Sequence, residues 1–87
     1  MSNATMLDFL TKCQHLQREA RHCEVTITYS LFQQGIIVSI DEIGTTRFWR
    51  FYFDASETDK EQEKTYKELH HIYSKLEEHE QHNPQLP

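Results

Sequence analysis

Six histidines, two cysteines and one arginine set among aromatic rings are the side chains of this 87-residue chain whose chemistry could reach beyond folding. His70, His71, His79 and His82 share the C-terminal segment, and on a helix His71, His79 and His82 fall near one stripe with Lys75 and Glu78. A metal site wants ligands at i, i+3 or i+4 with a carboxylate behind them. His79 and His82 have that spacing and Glu78 is near, but they stand past the last apolar position, where a helix frays. A solvated face is therefore expected, and no metal is assigned. Cys13, His15, His22 and Cys23 are zinc-like in composition but lack paired close spacing.

Two cysteines are too few for a disulfide framework. If Cys13 lies in a helix running to about Arg21, axial rise alone separates the pair by roughly 12 Å or more. Bridged Cα atoms lie roughly 4.4–6.8 Å apart, so both thiols are expected reduced and buried. Buried thiols make poor nucleophiles. The chain has no Gly-x-Ser-x-Gly elbow, phosphate loop or dinucleotide fingerprint, and only two glycines. The expectation is a protein that is not an enzyme and carries no cofactor.

What remains is the run Thr45–Asp54, which holds five of the ten aromatic residues. Its period is two: Trp49, Phe51 and Phe53 point one way, and Phe48, Arg50 and Tyr52 the other. The elements around it must decide which set is covered. Met6, Phe9, Leu10, Cys13, Leu16, Gln17 and Ala20 recur at intervals of three and four, which predicts an amphipathic helix entered through Thr5 and Asp8 as a capping box. At Cys23 the period switches, and Cys23, Val25, Ile27, Tyr29 and Leu31 alternate with polar residues as in a half-buried strand. Ile36–Ile40 gives a second strand and the aromatic run a third. Four-residue loops, Phe32–Gly35 and Asp41–Gly44, separate them, each ending in a glycine suited to positive φ.

Those loops set a register in which Leu31 opposes Ile36, Tyr29 opposes Val38, Ile36 opposes Trp49 and Ile37 opposes Phe48. Either Ser56–Asp59 or Thr58–Glu61 can cap a second helix, whose apolar face is Tyr66, Leu69, Ile72, Tyr73 and Leu76. The predicted fold class is α+β, a two-layer α-β-β-β-α arrangement with both helices on one face of a three-stranded antiparallel meander. A single domain is expected over residues 5–82, with 1–4 set aside as a tag-like or disordered leader and 83–87 as a flexible tail.

The element order over residues 5–80 is similar to that of double-stranded RNA-binding domains. That family places a lysine-rich cluster at the start of its second helix to grip phosphates. Here the matching stretch, Ser56 to Lys64, is net acidic and would repel such a ligand, so the resemblance stops at element order.

The charge agrees. The formal net charge is −5, with five basic and six acidic groups in residues 1–55 against four and eight in 56–87. The acidic C-terminal third disfavours nucleic acid and anionic membranes as partners. Six histidines make that field sensitive to pH. With 37% hydrophobic and 26% charged residues, no apolar run of spanning length and no signal-peptide layout, a folded cytoplasmic domain is expected.

The open sheet face would then carry Ile37, Phe48, Arg50 and Tyr52. Aromatics and arginine are enriched at protein interfaces, so the first expectation is a small non-catalytic interaction or regulatory module. It would bind a protein partner or a second copy through that face. One alternative is an acidic inhibitor of the type encoded by phages and mobile elements, whose Glu57, Glu61 and Glu68 occupy a basic nucleic-acid-binding surface of a partner. A second is weak nucleic-acid binding by base stacking on the aromatic and arginine face.

Overall fold

The computed structural model describes residues 4–30 and 34–81. Helix α1 spans Ala4–Glu19, strand β1 Cys23–Ser30, β2 Gly35–Glu42 and β3 Phe48–Asp54, and helix α2 spans Asp59–Gln81. The three strands form one antiparallel sheet in the order β1-β2-β3, so the α+β meander read from the pattern is the fold. Of the expected leader 1–4, residues 1–3 lie outside the described residues and Ala4 already belongs to α1; the expected tail 83–87 lies outside them, as does His82. Among the described residues no helix is long and apolar enough to cross a membrane.

Each element buries the residues its period selects. Phe9, Leu10, Cys13 and Leu16 of α1 meet Cys23 and Val25 of β1, Ile36, Val38 and Ile40 of β2, Phe53 of β3, and Leu69, Tyr73 and Leu76 of α2 in one core. Both helices therefore cover the same sheet face, and among the described residues no layer lies over the other. Phe9 ties the two layers together, its ring 5.7 Å from that of Phe53 and 5.1 Å from that of Tyr66. Because α1 already begins at Ala4, Thr5 lies inside its first turn and is not the cap expected there.

At α2 the second of the two capping boxes is the one used. The Thr58 amide donates to Glu61 Oε1 at 2.9 Å and the Glu61 amide donates to Thr58 Oγ1 at 3.1 Å, closing the reciprocal pair that starts the helix. Asp54 organises the approach to it, its carboxylate accepting the Ser56 amide and hydroxyl at 2.9 Å each. Those bonds hold the Asp54 carboxyl below its usual range.

The expected register needs correction. Tyr29 pairs with Ile36, Ile27 with Val38, Ile36 with Phe53, Val38 with Phe51 and Ile40 with Trp49. Relative to the expected pairing, the first hairpin is displaced by two residues and the second by four. Both displacements are even, so every side chain keeps its face. The second turn keeps four residues but lies two positions later, at 43–46, because Glu42 remains in the ladder. Its amide donates to the Arg47 carbonyl at 3.0 Å, and its carboxylate receives Arg47 Nε at 2.8 Å.

The two glycines differ in role. Gly44 has φ +85°, as anticipated. Gly35 does not; the positive φ belongs to Gln34, at 48°. What Gly35 provides is close approach, because a Cβ there would collide with the Phe53 carbonyl oxygen. Residues 31–33 of that turn lie outside the described residues.

Two core expectations also change. Tyr29 has core-side parity but stands at the end of β1, and it is 64% exposed. Trp49 and Phe51 are only half-buried, packed against the core without being enclosed by it.

Candidate interaction surface

On the uncovered face the corrected register sets out rows across the sheet. Glu24, Asp41 and Phe48 share one row, Thr26, Ser39 and Arg50 the next, and Thr28, Ile37 and Tyr52 the third. Phe48 and Tyr52 are each 55% exposed. The Arg50 guanidinium lies 4.9 Å from the centre of the Phe48 ring, a cation–π stack that holds the aromatic surface upright in solvent. Ile37, half-buried, is beside Tyr52 and not beside Phe48 as expected. The four predicted surface residues thus share one face, divided into an Ile37–Tyr52 pair and an Arg50–Phe48 stack.

The backbone of β3 adds a feature that side-chain patterning did not show. All ladder bonds of an antiparallel pair share one register, and the Glu42 amide to Arg47 carbonyl bond fixes which residues make them. Trp49, Phe51 and Phe53 therefore turn their N–H and C=O toward β2, while Phe48, Arg50, Tyr52 and Asp54 turn theirs outward. Asp54 bears this out: its amide donates to Glu57 Oε1 at 3.1 Å and its carbonyl accepts Gln62 Nε2 at 2.9 Å. Phe48, Arg50 and Tyr52 find no backbone partner beyond the sheet among the described residues.

Gln62 is itself 1% exposed; its Nε2 is satisfied by this bond to the strand end, while its buried Oε1 has no hydrogen-bond partner among the described residues. On the opposite edge one outward group is also bonded. There the Val25 carbonyl, which faces out of β1, accepts Gln17 Nε2 at 2.9 Å from α1.

Beneath the same edge lies a groove of about 490 Å³ between β3 and α2. Trp49, Phe51 and Ile72 form its apolar floor, and Lys64, Lys67, Glu68 and His71 its rim. The half-burial of Trp49 and Phe51 follows from it, since α2 covers their inner edges only.

The other sequence candidates fall elsewhere. Cys13 and Cys23 are free and buried, and desolvation pushes both thiols up to about 12; for Cys23 a bond to Glu77 adds to the effect. Of the three acids singled out, Glu57 accepts the Asp54 amide at the end of β3, Glu61 accepts the Thr58 amide at the start of α2, and Glu68 sits on the groove rim. No group of three or more His, Cys, Asp or Glu residues that could hold a metal ion occurs among the described residues. The side chain of His79, and His82 as a whole, lie outside them.

Glu77 was missed. Read from sequence it is one more acid on a solvated face, yet its carboxylate accepts the Arg21 amide at 3.1 Å, the His22 amide at 2.9 Å and the Cys23 thiol at 3.3 Å. It ties the last third of α2 to the junction between α1 and β1. Only its position one residue past the buried Leu76 hinted that it faces that junction.

No protein-family model, curated protein or solved structure matches the chain at a significant level.

Proposed function

We propose that the chain is a non-catalytic protein-binding module whose contact surface is the uncovered sheet face around Ile37, Phe48, Arg50 and Tyr52. The observation that carries this reading is the exposure of Phe48 and Tyr52 on a strand whose alternate residues already serve the core. Folding needs Phe53, and in part Trp49 and Phe51; it gains little from large aromatic rings at 48 and 52. Aromatic anchors flanking an arginine are the composition that supplies most binding energy at protein interfaces. The three acidic candidates support the inhibitor alternative less well, because two of them are already bound to backbone amides of the same chain.

The test compares the wild type with a Phe48→Ala, Tyr52→Ala double variant whose far-UV circular dichroism is unchanged. Light scattering over a concentration series reads self-association, and cross-linked pulldown reads other partners. Losing two anchors of about 2 kcal/mol each abolishes detectable association. A folded double variant with the same mass and the same partners would overturn the reading.

A further inference from the structure

We infer that β3 accepts a fourth strand, and that the occupant is an extended segment of another protein alternating acidic and apolar residues. This rests on the reading that the Phe48–Tyr52 surface is a contact surface, and it names how the contact is made. Three outward-facing residues, Phe48, Arg50 and Tyr52, offer three amides and three carbonyls with no partner among the described residues. No proline, lysine or bulge interrupts Phe48–Asp54, and Arg50 is its one charged side chain before Asp54. Its protection comes only at Asp54, where Glu57 and Gln62 close both backbone groups and set the end of the docking site.

An added strand would also cover the apolar surface that the fold leaves open in the groove beneath this edge. Alternate side chains would lie beside Phe48 and Tyr52 on the open face and over Trp49, Phe51 and Ile72 in the groove.

Charge selects the occupant. At the centre of the edge strand stands Arg50, with Lys64 and Lys67 against Glu68 on the groove rim below it; the acids Asp41 and Asp54 flank the strand at its two ends. A second copy is disfavoured by the same geometry. The antiparallel pairing that uses all three outward residues sets Phe48 opposite Tyr52 of the copy and therefore Arg50 opposite Arg50, a like-charge pair at the axis. Shifting it by two residues brings in the capped Asp54 in one direction and, in the other, leaves Tyr52 opposite Thr46, which precedes the strand, so that only Phe48 and Arg50 pair. With the acidic set of alternate side chains on the open face, where it meets Arg50, the apolar set turns into the groove.

Trp49 is the single tryptophan and lines the groove, so its fluorescence reports occupancy. The probes are a blocked seven-residue peptide of alternating valine and glutamate, its valine–lysine counterpart, and the acidic peptide N-methylated on alternate amides. The acidic peptide is expected to give a saturable response, the lysine peptide to bind about tenfold more weakly or not at all, and the N-methylated peptide to bind not at all. Arg50→Glu is expected to reverse the preference between the first two. Tyr52→Pro removes one outward donor while sparing the ladder to β2, and is expected to lose binding; should it fail to fold, the N-methylated peptide makes the same test on the native protein.

Equal binding of acidic and lysine peptides, binding of the N-methylated peptide, or no response up to millimolar acidic peptide would overturn the proposal. So would a wild-type dimer that Tyr52→Pro dissociates, since the occupant would then be a second copy. If the Phe48→Ala, Tyr52→Ala variant loses its partners while the acidic peptide fails to bind, strand addition falls and the contact surface stands.

Discussion

Replacing Glu77 by alanine tests whether a carboxylate half-exposed on α2 is a structural tie. Its loss leaves the amides of Arg21 and His22 and the thiol of Cys23 without the acceptor they share. A hydrogen bond to a charged group contributes about 1.5–3 kcal/mol, and a neutral one about 1. Arg21 is exposed and its amide can turn to water, so its share is small; the half-buried His22 amide and the thiol carry the rest. The expected cost is about 2 kcal/mol, which for a domain of this size lowers Tm by about 10 °C. Glu77→Gln keeps one acceptor and should lose about half as much. Urea unfolding followed by Trp49 fluorescence reads the change as a shift in midpoint at constant slope. Glu68→Ala on the groove rim is the control, expected within about 0.5 kcal/mol of wild type. A Glu77→Ala midpoint as close to wild type as that control would show that the three donors are satisfied by water and that the tie is incidental.

Gly35→Ala forces a methyl group onto the Phe53 carbonyl and should cost about 1–3 kcal/mol, whereas Gln34→Gly, at a position with φ 48°, should stabilise by about 0.5 kcal/mol once the entropy of glycine is counted; denaturation midpoints check both. Cys13 and Cys23 should react with a disulfide reagent only at the rate of unfolding, because they are 0% and 3% exposed. In alkali, both thiols are raised from 9.0 to about 12 and the Tyr73 hydroxyl from 10.0 to about 12, burial being the first cause for each. Folded values above unfolded ones confer stability that is whole below about pH 9 and is lost as pH rises toward 12, so urea midpoints should fall across that window. On the acid side the lowered Asp54 carboxyl confers stability present above its ordinary value of 3.8 and lost as pH falls through the lower folded value.

Much of the fold was legible because it depends on periodicity, which tolerates error. A strand that slips by two or four residues keeps its faces, so Val25, Val38 and Phe53 could be assigned to the core from a register that was wrong. The register itself depended on where each turn begins, and composition misled there. Two loops ending in glycine looked alike, yet only Gly44 needs positive φ, while Gly35 answers to a carbonyl on the neighbouring strand. The Glu42–Arg47 ion pair that lengthens β2 was present in the sequence, but nothing local distinguishes it from two surface charges.

The candidate side chains Ile37, Phe48, Arg50 and Tyr52 were readable as one face. The free backbone beside them was not, because which amides of β3 turn outward follows from the register and not from residue type. Glu77, Gln17 and Gln62 were unreadable for a related reason: each acts on a backbone group distant in sequence.

The account stands most directly on the state of the β3 edge, and residue-resolved amide hydrogen exchange on the free protein measures it. The account predicts alternation along the strand. Trp49, Phe51 and Phe53 should be protected by the ladder to β2, while Phe48, Arg50 and Tyr52 exchange fast and gain protection only when a partner strand is added. Uniform protection from Phe48 to Phe53 in the free monomer would mean that the edge is already covered, and would contradict it.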